Sequence, residues 1–132
     1  MPFNLYSFKG KAGETTLIDS GATGNFIDYK TVLRLKLGTN RLEQARPIQN
    51  VDGLENKAGN ITRYCDLMVT KGKQKERVRF YVTNLGKDRF ILGYPWLAQF
   101  NPEIDWKEAC VKGPRVKVKT LVKGAMTQKE YL

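Results

Sequence analysis

Two stretches of the chain alternate apolar and polar positions, and the alternation predicts strands. Ile61, Cys65, Leu67 and Val69 fall on one side of residues 59–69, with Arg63 as the exception. Past a turn expected at Lys71-Gly72-Lys73, residues 78–82 alternate in the same way through Val78, Phe80 and Val82. Residues 3–8 and 14–18 have strand composition, and the Lys9-Gly10-Lys11-Ala12-Gly13 segment between them reads as a turn. A second turn is expected at Asp52-Gly53, flanked by extended segments at 45–51 and 59–69. Pro47 argues against a central strand there. Helical signals are few. Asp28 is placed to cap a helix over 29–37, with Val32, Leu33 and Leu37 as its apolar stripe and Gly38 as its stop. Pro95 opens a short helix over 96–100, which Asn101-Pro102 closes. Residues 89–93 and 104–106 look extended, and 116–122 reads as a basic strand. The pattern predicts an all-β protein with one or two short helices.

Length and composition narrow the picture only a little. A chain of 132 residues fits one domain with a modest core. No apolar run approaches the roughly 20 residues that span a bilayer, so no membrane partner is expected. Met1-Pro2-Phe3-Asn4 lacks the basic and apolar regions of a signal peptide, which makes a cytoplasmic or particle-enclosed location the expectation. The formal charge is +10, and its placement matters more than its size. One basic run covers 71–79, broken only by Glu76; a second follows Glu108, with Lys112, Arg115, Lys117, Lys119, Lys123 and Lys129. Such charge favours solubility and non-specific association of the C-terminal stretch with nucleic acid.

The chain has two cysteines, Cys65 and Cys110, and no histidine. Ser-His and Cys-His nucleophilic mechanisms are therefore excluded within the chain. Two scattered cysteines do not make an ordinary structural zinc site. A Cys65–Cys110 disulfide and two separate thiols both fit the sequence; an intracellular location favours the thiols.

One stretch departs from the strand pattern. In Thr16-Leu17-Ile18-Asp19-Ser20-Gly21-Ala22-Thr23 a buried-looking strand runs into a carboxylate, and small residues follow at once. Carboxylates go inside when they are paired, hydrogen-bonded or catalytic, so Asp19 is the candidate reactive group. A turn-capping aspartate is the plain alternative. The Gly21-Ala22-Thr23-Gly24 turn also resembles the glycine-rich turn of dinucleotide-binding enzymes. Ile27 stands where a third glycine is needed, however, and the alternating helices of that fold are missing.

Asp19-Ser20-Gly21-Ala22-Thr23 after Leu17-Ile18, with Ile91-Leu92-Gly93 far downstream, resembles a retropepsin, the retroviral-type aspartic protease. Ile91-Leu92-Gly93-Tyr94-Pro95-Trp96-Leu97 followed by Asn101-Pro102-Glu103-Ile104-Asp105-Trp106 is similar to the protease region of gypsy-type LTR retrotransposon polyproteins. The resemblance implies a retropepsin-like acid-protease fold: a small closed β-barrel-like domain with a flap hairpin over about residues 1–108. The basic segment 109–132 would be an extension or linker, or would add one further strand. It implies Asp19, Ser20 and Gly21 as the catalytic motif and Ala22, Thr23, Val51, Asp52, Gly53 and Ile91 as substrate-binding residues, with Asp52-Gly53 near the flap tip. Gly93 would let its strand pack tightly on the catalytic loop. No metal or cofactor is implied.

A single Asp-Ser-Gly in the chain means that the second carboxylate must come from a second copy, hence a homodimer. The implied activity is that of an aspartic endopeptidase, a hydrolase that processes its own polyprotein. The alternative from another class is a protease-like domain with weak or no activity, kept for dimerisation or for binding RNA or polyprotein through its charge.

Overall fold

The structure is a computed structural model that describes residues 9–13, 16–46 and 61–120. Its first two strands, β1 (Lys9–Gly13) and β2 (Thr16–Asp19), pair antiparallel, with Gly10 opposite Ile18 and Lys11 opposite Leu17. The turn expected at residues 9–13 is a strand instead. Tertiary pairing overrides the local glycine preference: β1 is bonded on one edge to β2 and meets a later strand on the other, at Cys110. Residues 3–8, expected to pair with 14–18, lie outside the described residues.

After Asp19 the chain turns into β3 (Phe26–Asp28) and helix α1 (Tyr29–Leu35). Asp28 caps this helix as the sequence predicts, accepting the Lys30 N–H at 3.1 Å. The helix ends before Gly38. Lys36 adopts the left-handed conformation at φ 54°, and the Leu37 N–H returns to the Val32 carbonyl at 3.0 Å. The expected apolar stripe holds only in part, since Val32 is buried but Leu33 is 69% exposed. A helix this short packs one narrow side, and Thr31 and Val32 take it.

Next come β4 (Asn40–Arg46), β5 (Ile61–Lys71) and β6 (Gln74–Thr83). The predicted turn at Lys71-Gly72-Lys73 joins the last two, with Lys71 paired to Gln74 and Gly72 at φ 62°. Ile61, Cys65, Leu67, Val69, Val78 and Phe80 are buried, as the alternation requires, and Arg63, the exception to it, is exposed. Then follow β7 (Phe90–Leu92), helix α2 (Tyr94–Phe100), β8 (Ile104–Asp105), β9 (Cys110–Val111) and β10 (Val116–Thr120). Pro95 lies in the first turn of α2, and Asn101 ends the helix in the left-handed region.

Among the described residues the ten strands form one curled, half-barrel sheet in the order β10-β5-β6-β3-β7-β2-β1-β9-β8, with β4 on the far part of β5. The basic strand β10 joins this sheet antiparallel to β5, and its Val116 and Val118 are buried in the main core. Phe80 meets Phe90 edge-on at 5.6 Å, and Trp96 stacks on Phe100 at 5.0 Å. Phe80 and Phe90 are fully buried, each contributing about 1.5–3 kcal/mol by leaving water. Both cysteines are free thiols, Cys65 buried and Cys110 half-buried. Of the two readings that the sequence allows, the structure has the separate thiols.

Candidate active site

Strand β2 carries Asp19 to its end and leaves it 1% exposed. The turn that follows is made by its own backbone. The Gly21 N–H donates to Asp19 Oδ1 at 2.8 Å, and the Ala22 N–H donates to the Asp19 carbonyl at 3.0 Å. A Cβ on Gly21 would lie 3.2 Å from Oδ1, so a side chain there would crowd the carboxylate. A carboxylate that accepts a backbone N–H is fixed in direction, which a proton-transferring group requires.

The loop after Asp19 is clasped onto the start of α2. The Gly93 N–H donates to Asn25 Oδ1 at 2.9 Å, in a buried position, and the Tyr94 N–H donates to the Ala22 carbonyl at 2.9 Å. Asn25 is held in turn from β6, because its carbonyl accepts the Tyr81 N–H at 2.9 Å. Gly93 is where the two segments touch: a Cβ there would stand 2.2 Å from the Gly24 carbonyl oxygen and 2.7 Å from that of Ala22. β2 and β7 run parallel with Leu17 beside Ile91 and Ile18 beside Leu92. Continuing that register by one residue brings Asp19 level with Gly93.

An apolar wall lies beside the carboxylate. Ala22, Phe26, Ile61 and Ile91 form a second buried cluster, separate from the main core, with Leu17, Leu42, Tyr81 and Leu85 packed against it. Alternation along β2 sends Ile18 to the main core and Leu17 to this second cluster, so Asp19 emerges on the Leu17 side. A buried carboxylate next to a curved apolar surface suits an apolar or extended ligand with a polar group to be acted upon.

The chain matches the family model described as PEG10/RTL1 protease domain over residues 15–120. It belongs to that family. The PEG10/RTL1 protease domain is a retropepsin-like domain of gypsy retrotransposon-derived proteins, and the resemblance drawn from Asp19-Ser20-Gly21 and Ile91-Leu92-Gly93 meets it. The match runs from before β2 to the end of β10, so it takes in the site and the basic strand alike.

Within this PEG10/RTL1-type domain the residues singled out from sequence fall in three settings. Asp19, Ala22 and Ile91 are buried, the last two at 3% and 4% exposure in the second cluster. Ser20 is half-buried, while Gly21 and Thr23 are exposed. Val51, Asp52 and Gly53 lie outside the described residues. The strands on either side of them are described: β4 and β5 pair antiparallel, with Asn40 opposite Tyr64 and Arg46 opposite Ile61.

Two residues carry more than the sequence assigns them. By sequence Asn25 is only the start of an extended piece, because its partner Gly93 lies far along the chain. Asp28 reads as a helix cap, and it also accepts the Leu85 N–H at 2.9 Å, tying the loop before β7 to the start of α1.

Proposed function

We propose that this domain is an aspartic endopeptidase that works as a homodimer, with Asp19 and the Asp19 of a second copy sharing the catalytic site. The observation that carries this reading is the buried Asp19 carboxylate, oriented by the Gly21 N–H in a loop clasped by Gly93. Three of the other described aspartates have local work. Asp28 caps α1, Asp66 binds Arg77 and Arg79, and Asp105 accepts the N–H groups of Lys107 and Glu108. A second copy is thus the natural source of a second Asp-Ser-Gly carboxylate. The Ser20 hydroxyls would tie the two loops together.

The chemistry follows from two close carboxylates that share one proton, since two adjacent negative charges are strongly disfavoured. Aspartic proteases are a standing illustration of such a dyad. The ionised member takes a proton from a water whose oxygen bonds to the scissile carbonyl carbon. The protonated member gives its proton to the carbonyl oxygen. Collapse of the tetrahedral species breaks the C–N bond, and the amine leaves with a proton from the dyad. The substrate lies as an extended strand along the apolar wall of Ala22 and Ile91, with Thr23 at its edge, and Val51, Asp52 and Gly53 complete the substrate-binding set that the resemblance implies. Its natural substrate is the polyprotein that contains the domain, cut in the cytoplasm or within a particle.

A cleavage assay on that polyprotein, comparing wild type with Asp19→Asn, tests the reading. Wild type should cut, Asp19→Asn should lose at least about a thousandfold in rate, and a pepstatin-type inhibitor should block the wild type. Activity should peak in mildly acidic solution. Unchanged processing by Asp19→Asn, or activity from a chain that sediments strictly as a monomer, overturns it.

A further inference from the structure

The two basic runs, far apart in sequence, meet in the sheet. Strand β5 lies between β10 and β6, and the pairing forms cross-strand rows: Lys117, Thr70 and Lys75 in one, Lys119, Met68 and Arg77 in the next. Alternation turns Val116, Val118, Leu67, Val69, Val78 and Phe80 into the core. The same alternation turns Lys117, Lys119, Lys75, Arg77 and Arg79 to the opposite face. Among the described residues of β10, β5 and β6, Asp66 is the carboxylate on this face; it pairs with Arg79 in the following row and bridges Arg77 at 3.4 Å and Arg79 at 3.1 Å. The face is therefore a broad cationic surface on a rigid sheet, not a flexible charged tail.

The same face has a second feature that charge alone does not explain. The Arg79 guanidinium stacks over the Tyr64 ring, 3.8 Å from its centroid. The pair borders a recess of about 490 Å³ whose other walls are Arg41, Leu42, Glu43 and Gln44 of β4. Planar, apolar and hydrogen-bonding groups around one opening suit a heterocyclic base, while the lysines and Arg77 beyond it suit a phosphate backbone. An acidic peptide would use the cations and leave the stacked pair without a role.

We propose that the outer face of β10, β5 and β6, together with the recess at Tyr64 and Arg79, binds a single-stranded nucleic acid. Phosphates lie along Lys117, Lys119, Lys75 and Arg77, and a base enters the recess against the Tyr64–Arg79 pair. The recess shares Leu42 with the edge of the second apolar cluster but contains none of Asp19, Ser20 and Gly21, so binding there does not depend on proteolysis.

The test uses the full chain and a fluorescein-labelled single-stranded RNA 20-mer, read by anisotropy over a salt series. Wild type and Asp19→Asn should bind alike. Lys117→Gln with Lys119→Gln should weaken binding and reduce the slope of log K against log salt by about 1.4, roughly 0.7 for each phosphate that is no longer neutralised. Tyr64→Leu should weaken binding roughly five- to hundredfold with the slope unchanged. Thermal midpoints identify any variant that fails to fold, and Lys75→Gln with Arg77→Gln then gives an independent reading of the face. Three results overturn the proposal: no binding at low salt, equal competition by heparin with folded Tyr64→Leu unaffected, or preferential displacement by an acidic peptide.

Discussion

The Asn25 side chain and the Gly93 backbone N–H meet in a buried hydrogen bond of 2.9 Å that spans 68 positions of sequence. This bond joins the loop carrying Asp19 to the strand and helix that support it from behind. The loop consists mostly of small residues, so it has little side-chain packing of its own to fix its path. Backbone contact supplies that instead. Asn25 Oδ1 and the Ala22 carbonyl receive the first two N–H groups at the β7–α2 junction, and Gly93 lacks the Cβ that would push the segments apart.

Gly93→Ala should therefore be severe. Its φ of −94° is open to any residue, so backbone strain is not the cause. The added methyl would lie 2.2 Å from one carbonyl oxygen and 2.7 Å from another, and neither belongs to a flexible side chain. A loss of about 3 kcal/mol or more is expected in urea unfolding, at the upper end of overpacking costs. Peptide cleavage should fall with it even under conditions where the variant remains folded.

Asn25→Ala removes the acceptor but keeps the space. Asn25 is 6% exposed, so the Gly93 N–H would be left without its acceptor in a buried position. The expected cost is about 1–3 kcal/mol. Asn25→Asp keeps an acceptor in place and should lose less, which separates the hydrogen bond from simple loss of volume. Paired urea titrations of the two variants measure the difference.

The pattern of apolar positions carries most of the fold. Period-two alternation is a strong signal where one face is buried, and it places β5 and β6 with their turn from sequence alone. The motifs at Asp19 and Ile91 locate the site for a related reason: a carboxylate at the end of an apolar strand, and a glycine directly after another, are locally improbable. What is not legible depends on distant partners. β1 has the composition of a turn and becomes a strand only because β2 and β9 lie on its two sides. Asn25 has no local sign of its role, and the merging of the two basic runs requires the register of β10 on β5.

Lys36 offers a gain in stability from the same kind of discrepancy. Gly38 looks like the helix stop, but the left-handed residue is Lys36 at φ 54°. A lysine in that conformation crowds its own Cβ against the backbone, whereas glycine does not. Lys36→Gly should raise stability by about 0.5–1 kcal/mol, after allowing for the greater freedom of glycine in the unfolded chain. Gly38→Ala, with nothing within 4 Å of its added Cβ and no positive φ, should not lose stability through strain or crowding. Thermal unfolding of the two single variants compares them directly.

Cys65 should make stability fall in alkaline solution with a recognisable sign. Its thiol is pushed up to about 12 from 9.0, first by burial and then by the negative charge of Asp66. The native state therefore holds the proton after the unfolded chain has released it. Below pH 9 both states are protonated and the thiol contributes its full share of stability. Between 9 and about 12 the unfolded state gains by ionising and the native state does not, so stability declines as pH rises. At pH 10.5 the loss attributable to this group should be about 1–2 kcal/mol. Lysines and tyrosines titrate in the same range, so the quantity to measure is a difference. The urea midpoint of wild type should drop more between pH 8 and pH 10.5 than that of Cys65→Ala, which lacks the ionising group. In native protein at pH 8, iodoacetamide should modify half-buried Cys110 and leave Cys65 intact until urea exposes it. Equal pH slopes for wild type and Cys65→Ala, or rapid alkylation of Cys65 in the folded chain, would contradict a protonated thiol sealed beneath β5 and β6.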